Sequence, residues 1–255
     1  MPDIENTVGE IAAKFPCAPG VLEKHHIDYG TGGKRPFREA CRVAGARAEE
    51  VLDEIRREGR EDRWSRPGPG WDDGSSENWE REPSAVLIEY LVATHRRWRE
   101  QDLPMIDALL DRVEAVQRTN HGVHVTGVAQ LRRVFDRLRH RLEEHLRQEE
   151  NILFPAILAM EASDAGGRPL PRLAFGSVKN PITMMERDHE TDAGLWDEIR
   201  DLTYGYAVAE DAPESTRRLF RELQSLETAT HEHTHLESNI LFPRVKRLEE
   251  QRGRR

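Results

Sequence analysis

Cysteine is almost absent. Cys17 and Cys41 are the only two in 255 residues, so one disulfide at most can form, and a small disulfide-built secreted scaffold is excluded. Aromatic residues make up 6% of the chain, too few for the strand-rich core of a large β-sandwich. No segment approaches the ~20 uninterrupted apolar residues of a membrane-spanning helix, so no membrane association is expected. Met1 to Glu10 carry three acids and no lysine or arginine, unlike a secretory leader. Positive charge is not in excess either: the formal net charge is −9. That balance leaves no cationic face for phosphates and removes nucleic acid from the expected partners. Arg132, Arg133, Arg137, Arg139 and Arg141 cluster, but acids interleave with them and they read as a solvated helix face. Reduced thiols and a cytoplasmic location follow as the expectation.

What the chain does have is charge of both signs, 33% of residues, alternating with apolar positions that bring the hydrophobic share to 37%. Long amphipathic helices use such a mixture, with one apolar stripe and a charged remainder. The expected fold class is all-α. Residues 1–58 read as a small N-terminal helical domain. Thr7 and Glu10 form a capping box for a helix that stops at Pro16, and a second short helix passes through Val21 and Leu22. The glycine-dense Asp28–Lys34 stretch is a turn. A third helix runs from Phe37 to Ile55, broken near Gly45. Residues 59–82, with Arg66-Pro67-Gly68-Pro69-Gly70, cannot continue a helix and read as a linker. Trp64, Trp71 and Trp79 predict that parts of it lie against a surface. Residues 83–255 then predict a four-helix bundle. Its helices are expected over 84–113 (with Pro104 inside or near the first), 126–161, 180–205 and 213–250. A Gly- and Pro-containing connection covers 162–180.

An internal repeat carries the chemistry. His145-Leu-Arg-Gln-Glu149-Glu-Asn151-Ile-Leu-Phe-Pro155 recurs as His233-Thr-His-Leu-Glu237-Ser-Asn239-Ile-Leu-Phe-Pro243, matching at seven of eleven positions with an offset of 88 residues. Each copy follows a helix with one histidine in a comparable place, His95 and His189. Two helical hairpins of one design are implied. Residues four apart share a helix face, so His145 with Glu149, and His233 with Glu237, each aim an imidazole and a carboxylate at one point. Carboxylates bridge two metal ions and imidazoles cap each terminally, the logic of dinuclear sites in four-helix bundles. Packing alone explains the repeat poorly, since six buried ionisable groups without a cation carry a severe desolvation cost. Histidine with carboxylate suits iron, manganese or zinc. Structural zinc favours four ligands including cysteine, whereas six ligands in two-fold arrangement ask for two ions, and iron is the choice made here. The metal ligands are therefore expected to be His95, His145, Glu149, His189, His233 and Glu237. The Ile-Leu-Phe-Pro tails read as core packing with a proline bend. By helical geometry Glu150 faces away from the site, and His231 and His235 point away from the face of His233. Glu190 is a candidate outer group orienting an imidazole. His121 and His124 fall in a connection, and His25 and His26 read as solvated.

These motifs resemble the hemerythrin-like, or HHE cation-binding, bundles, and within them most nearly the repair-of-iron-centres family of di-iron proteins. The bundle motifs match at His145 to Pro155 and at His233 to Pro243, with Ser238 where the family shows asparagine. His95 precedes Arg99-Glu100-Gln101-Asp102-Leu103-Pro104 much as the family's first ligand does, and Met185-Glu186-Arg187-Asp188-His189 resembles the segment of its third. Val8-Gly9-Glu10 and Asp28-Tyr29 with Gly32-Gly33-Lys34 are similar to the family's small N-terminal domain. The resemblance implies two non-haem iron ions, oxo-bridged, and repair of iron–sulfur clusters damaged by nitric oxide or oxidants. Iron donation or a nitric oxide reductase-type activity would be the means. Damaged iron–sulfur proteins would be clients, with nitric oxide or dioxygen as small ligands, and a homodimer stays open. The alternative is reversible dioxygen or nitric oxide binding without turnover. The oxygen carriers use five histidines where four are well placed here. One departure stands out: the family's two adjacent cysteines are replaced by Gly30 and Thr31. Cys17 and Cys41 read as small buried thiols.

Overall fold

A computed structural model describes residues 2–59, 79–119 and 127–253. Helices dominate it, as the composition implies, and no strand occurs among the described residues. The order is α1 (Val8–Lys14), α2 (Ala18–Lys24), α3 (Phe37–Val43), α4 (Ala48–Glu58), α5 (Ser84–Arg97), α6 (Leu103–Thr119), α7 (Val128–Gln148), α8 (Phe154–Ala165), α9 (Lys179–Leu202), α10 (Glu214–His235) and α11 (Phe242–Gly253). The expected capping box is formed: Thr7 accepts from the Glu10 amide while the Glu10 carboxylate accepts from Thr7. The break at Gly45 is real, because that residue takes a left-handed φ of 71° between α3 and α4. Trp64, Trp71, His121 and His124 lie outside the described residues. Trp79 lies within them, and its carbonyl accepts from Arg244 at 3.0 Å.

The chain divides into two compact units. One comprises Ile88–Ala156 and Asn180–Ala229. Its core is a set of helix stripes: Leu131, Val134, Phe135, Leu138, Leu142 and Leu146 on α7, Leu195, Trp196 and Ile199 on α9, and Leu219, Leu223 and Leu226 on α10. The three- and four-residue spacing turns each stripe inward and leaves the intervening arginines and acids outside. Trp98, Ile106, Leu110 and Val113 add the face of α6 and the turn before it. The other unit comprises Met1–Leu87, Ile157–Lys179 and Thr230–Arg255. There Val8, Ile11, Leu22, Phe37, Cys41, Val51, Leu52 and Ile55 close the core of the N-terminal helices.

Three wide turns interrupt the bundle helices. Trp98–Asp102, Glu149–Leu153 and Leu236–Leu241 are π-helical, and each is followed by the next α-helix with proline in its second place: Pro104, Pro155 and Pro243. In each case the residue before the proline donates five residues back, Leu103 to Trp98, Phe154 to Glu149 and Phe242 to Glu237. Proline has no amide hydrogen, and its ring collides with the carbonyl four residues earlier in a regular helix. Widening the turn just ahead of it relieves that collision and keeps the helix going, and such single π-turns concentrate at functional sites. The expected proline bend is thus realised as a change of helical register.

The last of these turns is gripped by the N-terminal helices of the same unit. Asn239 donates to the Tyr29 carbonyl at 2.9 Å and its amide lies 3.0 Å from His235 Nδ1. Its side chain sits against the backbone of Gly9 and Gly33, where an added Cβ would overlap the Asn239 amide. These glycines permit close backbone approach. Replacing Gly33 with alanine is expected to destabilise the fold by about 1–3 kcal/mol through overpacking. Adding Asn239→Ala should recover part of that loss, which denaturant unfolding of the two single variants and the double variant measures as a coupling energy. Strictly additive effects would contradict the cradle.

Candidate metal centre

Within the unit built on α5, α6, α7, α9 and α10, four of the six expected ligands converge. His95 closes α5, His145 closes α7, Glu149 opens the wide turn after α7, and His189 lies mid-way along α9. All four are buried, His95 and Glu149 completely. The two oxygens of Glu149 face different rings: Oε1 lies 2.6 Å from His145 Nε2, and Oε2 lies 3.4 Å from His95 Nε2. His189 Nε2 is 3.1 Å from His145 Nε2. The donor atoms of His145, Glu149 and His189 all lie within 4.8 Å of one another. One carboxylate spanning two imidazole positions is the arrangement a bridging ligand requires.

The remaining two expected ligands belong to the other unit. His233 ends α10 and Glu237 sits in the wide turn that follows. Both are buried, Glu237 completely, and His233 Nδ1 lies 3.7 Å from Glu237 Oε2. The His-x-x-x-Glu spacing thus brings each imidazole beside its carboxylate in both copies of the repeat.

The donor set fits a cation. Burial pushes His95 down to about 4, against the pull of the Glu150 carboxylate, so the ring is neutral near pH 7. Its Nδ1 lies 2.9 Å from Glu150 Oε1. A carboxylate only accepts, so Nδ1 carries the hydrogen and Nε2 turns a lone pair toward Glu149. Two buried lone-pair donors facing each other at 3.4 Å repel unless positive charge sits between them. Neutral imidazoles with a buried carboxylate offer nitrogen and oxygen ligands of the kind that iron, manganese and zinc accept.

The wide turn corrects the sequence reading of Glu150. A regular helix would send it outward from Glu149. In the widened register it reaches His95 at 2.9 Å and Arg99 Nη2 at 2.7 Å. Burial raises the Glu150 carboxyl, but Arg99 and His95 outweigh it and hold the group below the usual carboxylate range. Glu190 is exposed on α9 and orients no ring; Asp188 stands nearer, with Oδ2 3.9 Å from His145 Nδ1. His145 and Arg141 lower the carboxyl of Asp188. Arg141 also reaches the buried Asp192 at 2.5 Å. A helical wheel shows Asp188 beside His189, but its partner on another helix is invisible to it.

His231 and His235 both meet the N-terminal helices. His231 Nδ1 lies 2.7 Å from Glu23 Oε1. His235 is buried edge-on to Tyr29 with ring centroids 5.5 Å apart, and burial pushes it down to about 4. His26 is exposed, while His25 Nε2 lies 2.8 Å from Glu54 Oε2. Gly30 sits against the α10 backbone, where a Cβ would come 3.2 Å from the His231 carbonyl. Thr31 donates to Asp28 at 2.5 Å. Cys17 and Cys41 are both buried and free. Burial raises both thiols, Cys41 to about 11.

Residues 86–245 match the family described as the hemerythrin HHE cation binding domain. Residues 4–58 match a second family, described as a domain of unknown function. Over 246 residues the chain is 31% identical to the iron-sulfur cluster repair protein YtfE of Musicola paradisiaca, covering 96% of this chain and 98% of that protein. It is 28% identical over 244 residues to proteins of the same name from Yersinia pestis and Yersinia pseudotuberculosis, covering 95% of this chain and 97% of theirs.

Arg141 is the element of this site whose loss separates packing from ligation. Arg141→Ala strands Asp192 as a buried carboxylate and is expected to cost about 2–3 kcal/mol, below the range for a fully buried pair because the guanidinium is partly exposed. Thermal or denaturant unfolding measures it, and Asp192→Ala in the same chain should return part of the loss.

Proposed function

Because the chain belongs to the hemerythrin HHE cation-binding family and matches iron-sulfur cluster repair proteins along nearly its whole length, we propose that it repairs iron–sulfur clusters damaged by nitrosative or oxidative stress. The means is iron donation, nitric oxide reduction or both, at a non-haem, oxo-bridged di-iron centre. The observation that carries this reading is Glu149, fully buried, with one oxygen toward His145 and the other toward His95. His95, His145, Glu149 and His189 would hold the ions, and His233 with Glu237 would complete the set. Support for those two comes from the repeat and from their burial. Bound iron would supply electrons and an open coordination position for a diatomic ligand.

The protein's own part is to orient and to shield. The neutral, buried His95 ring presents its Nε2 lone pair without first losing a proton. Trp98 and Phe154 flank the His95 ring, with centroids 6.3 and 5.9 Å away, and keep water from it. Residues 1–58 are read as a small N-terminal domain and 83–255 as the bundle, with 59–82 between; the two separate family matches support that division. Clients would be damaged iron–sulfur proteins, and the working place the cytoplasm. Among the described residues no helix is long and apolar enough to cross a membrane.

Metal content and the absorption spectrum of chain purified without added metal test this directly, beside a Glu149→Ala/Glu237→Ala variant. About two irons per chain, with oxo-bridge charge-transfer bands lost in the variant, is the expected result. One zinc, or no metal in either protein, would sink the di-iron reading. A stable oxy form without turnover would move the function to reversible ligand binding.

A further inference from the structure

His95 has its far nitrogen firmly held. Its ring lies between Trp98 and Phe154, and Nδ1 meets Glu150 at 2.9 Å. The same oxygen of Glu150 accepts from Arg99 at 2.7 Å. Arginine, carboxylate and imidazole therefore form a line that ends on the face of Glu149. His145 has the looser counterpart, Arg141–Asp188, at 3.9 Å from its Nδ1. The second copy of the repeat has Ser238 where the first has Glu150, so the motif supplies this carboxylate once. Glu150 lies in the wide turn before Pro155, directly after Glu149.

We propose that Glu150, backed by Arg99, is a positioning residue that fixes the Nδ1–H tautomer of His95 and so aims its Nε2 lone pair at the metal position beside Glu149. The inference rests on the di-metal reading above for its purpose, though not for its geometry. An anionic acceptor at Nδ1 selects the tautomer, raises the basicity of the opposite nitrogen and stops the ring from flipping; carboxylates behind ligating histidines act in this way. Arg99 keeps that acceptor in place and charged, since a guanidinium cannot give up its proton.

The test uses the full-length chain in metal-free and cobalt(II)-titrated forms, with Glu150→Ala and Glu150→Gln variants. In metal-free protein with 15N-labelled histidine, long-range nitrogen–proton correlations should show His95 protonated at Nδ1 alone. Glu150→Ala should give a mixture of tautomers, and Glu150→Gln, which keeps an acceptor oxygen, should largely retain the wild-type form. Cobalt(II) affinity should fall roughly 10–100-fold in Glu150→Ala and less in Glu150→Gln, with an altered visible spectrum in Glu150→Ala. A His95 tautomer unchanged in Glu150→Ala overturns the proposal whatever happens to metal binding. So does an unchanged cobalt affinity in a chain whose wild type binds the ion. A wild type that binds no cobalt, yet loses the Nδ1–H form on substitution, supports the assigned hydrogen bond and overturns the di-metal reading instead.

Discussion

Proline inside a helix that must not stop is the constraint on which the centre depends. Each of Pro104, Pro155 and Pro243 removes a donor and pushes against the carbonyl one turn back. Each is answered by a turn closed five residues back, from Leu103 to Trp98, Phe154 to Glu149 and Phe242 to Glu237. The widening falls where the proposed ligands are. It adds a fraction of a turn between the histidine and the residues after it, and this changes which of two neighbouring acids can look inward. After α7 both can. Glu149 takes the centre, and Glu150 takes the far side of His95. A regular α-helix would bury one of them and expose the other.

Charge is distributed around the centre in graded shells. Innermost are the buried imidazoles of His95, His145 and His189 with the fully buried Glu149. Behind two of the rings stand carboxylates, Glu150 and Asp188, and behind those stand Arg99 and Arg141, partly open to solvent. Alternation of this kind gives Glu150 and Asp188 a guanidinium counter-charge, which is the condition for keeping charge away from water. A second, separate network in the same unit follows a similar scheme: the buried Glu227 accepts from the Tyr206 hydroxyl at 2.7 Å and pairs with Arg200.

Much of this was legible in the residues. Apolar stripes with three- and four-residue spacing gave the long helices and most of their ends, and Thr7 with Glu10 gave the first cap. His-x-x-x-Glu put both imidazole–carboxylate pairs on shared faces because a spacing of four survives the start of a widened turn. Glu150 was misplaced for the same reason that Glu149 was placed: the wheel is reliable up to the wide turn and wrong within it. Three prolines in matching positions were the available signal: Pro155 and Pro243 were read as bends and Pro104 only as lying inside or near the first helix, when all three marked changes of register. Asp188, Arg99 and Arg141 matter through partners on other helices, and a single-helix periodicity holds no information about those. Asn239 looked like part of a core-packing tail, and its contact with Gly9 and Gly33 depends on backbone approach, which side-chain patterns do not encode.

The two cysteine thiols of this chain are both buried and outside any disulfide. With Cys41 raised to about 11 by burial, on the order of one thiol in 10,000 is ionised at neutral pH, and Cys17 shifts in the same direction. Thiolates are what peroxides, nitrosating agents and disulfides attack. The chain therefore presents such reagents with almost no thiolate of its own. Where the resemblance leads one to expect two adjacent cysteines, Gly30 packs on α10 and Thr31 bonds to Asp28. An oxidant that acts through thiolates therefore finds little to attack at Cys17 or Cys41.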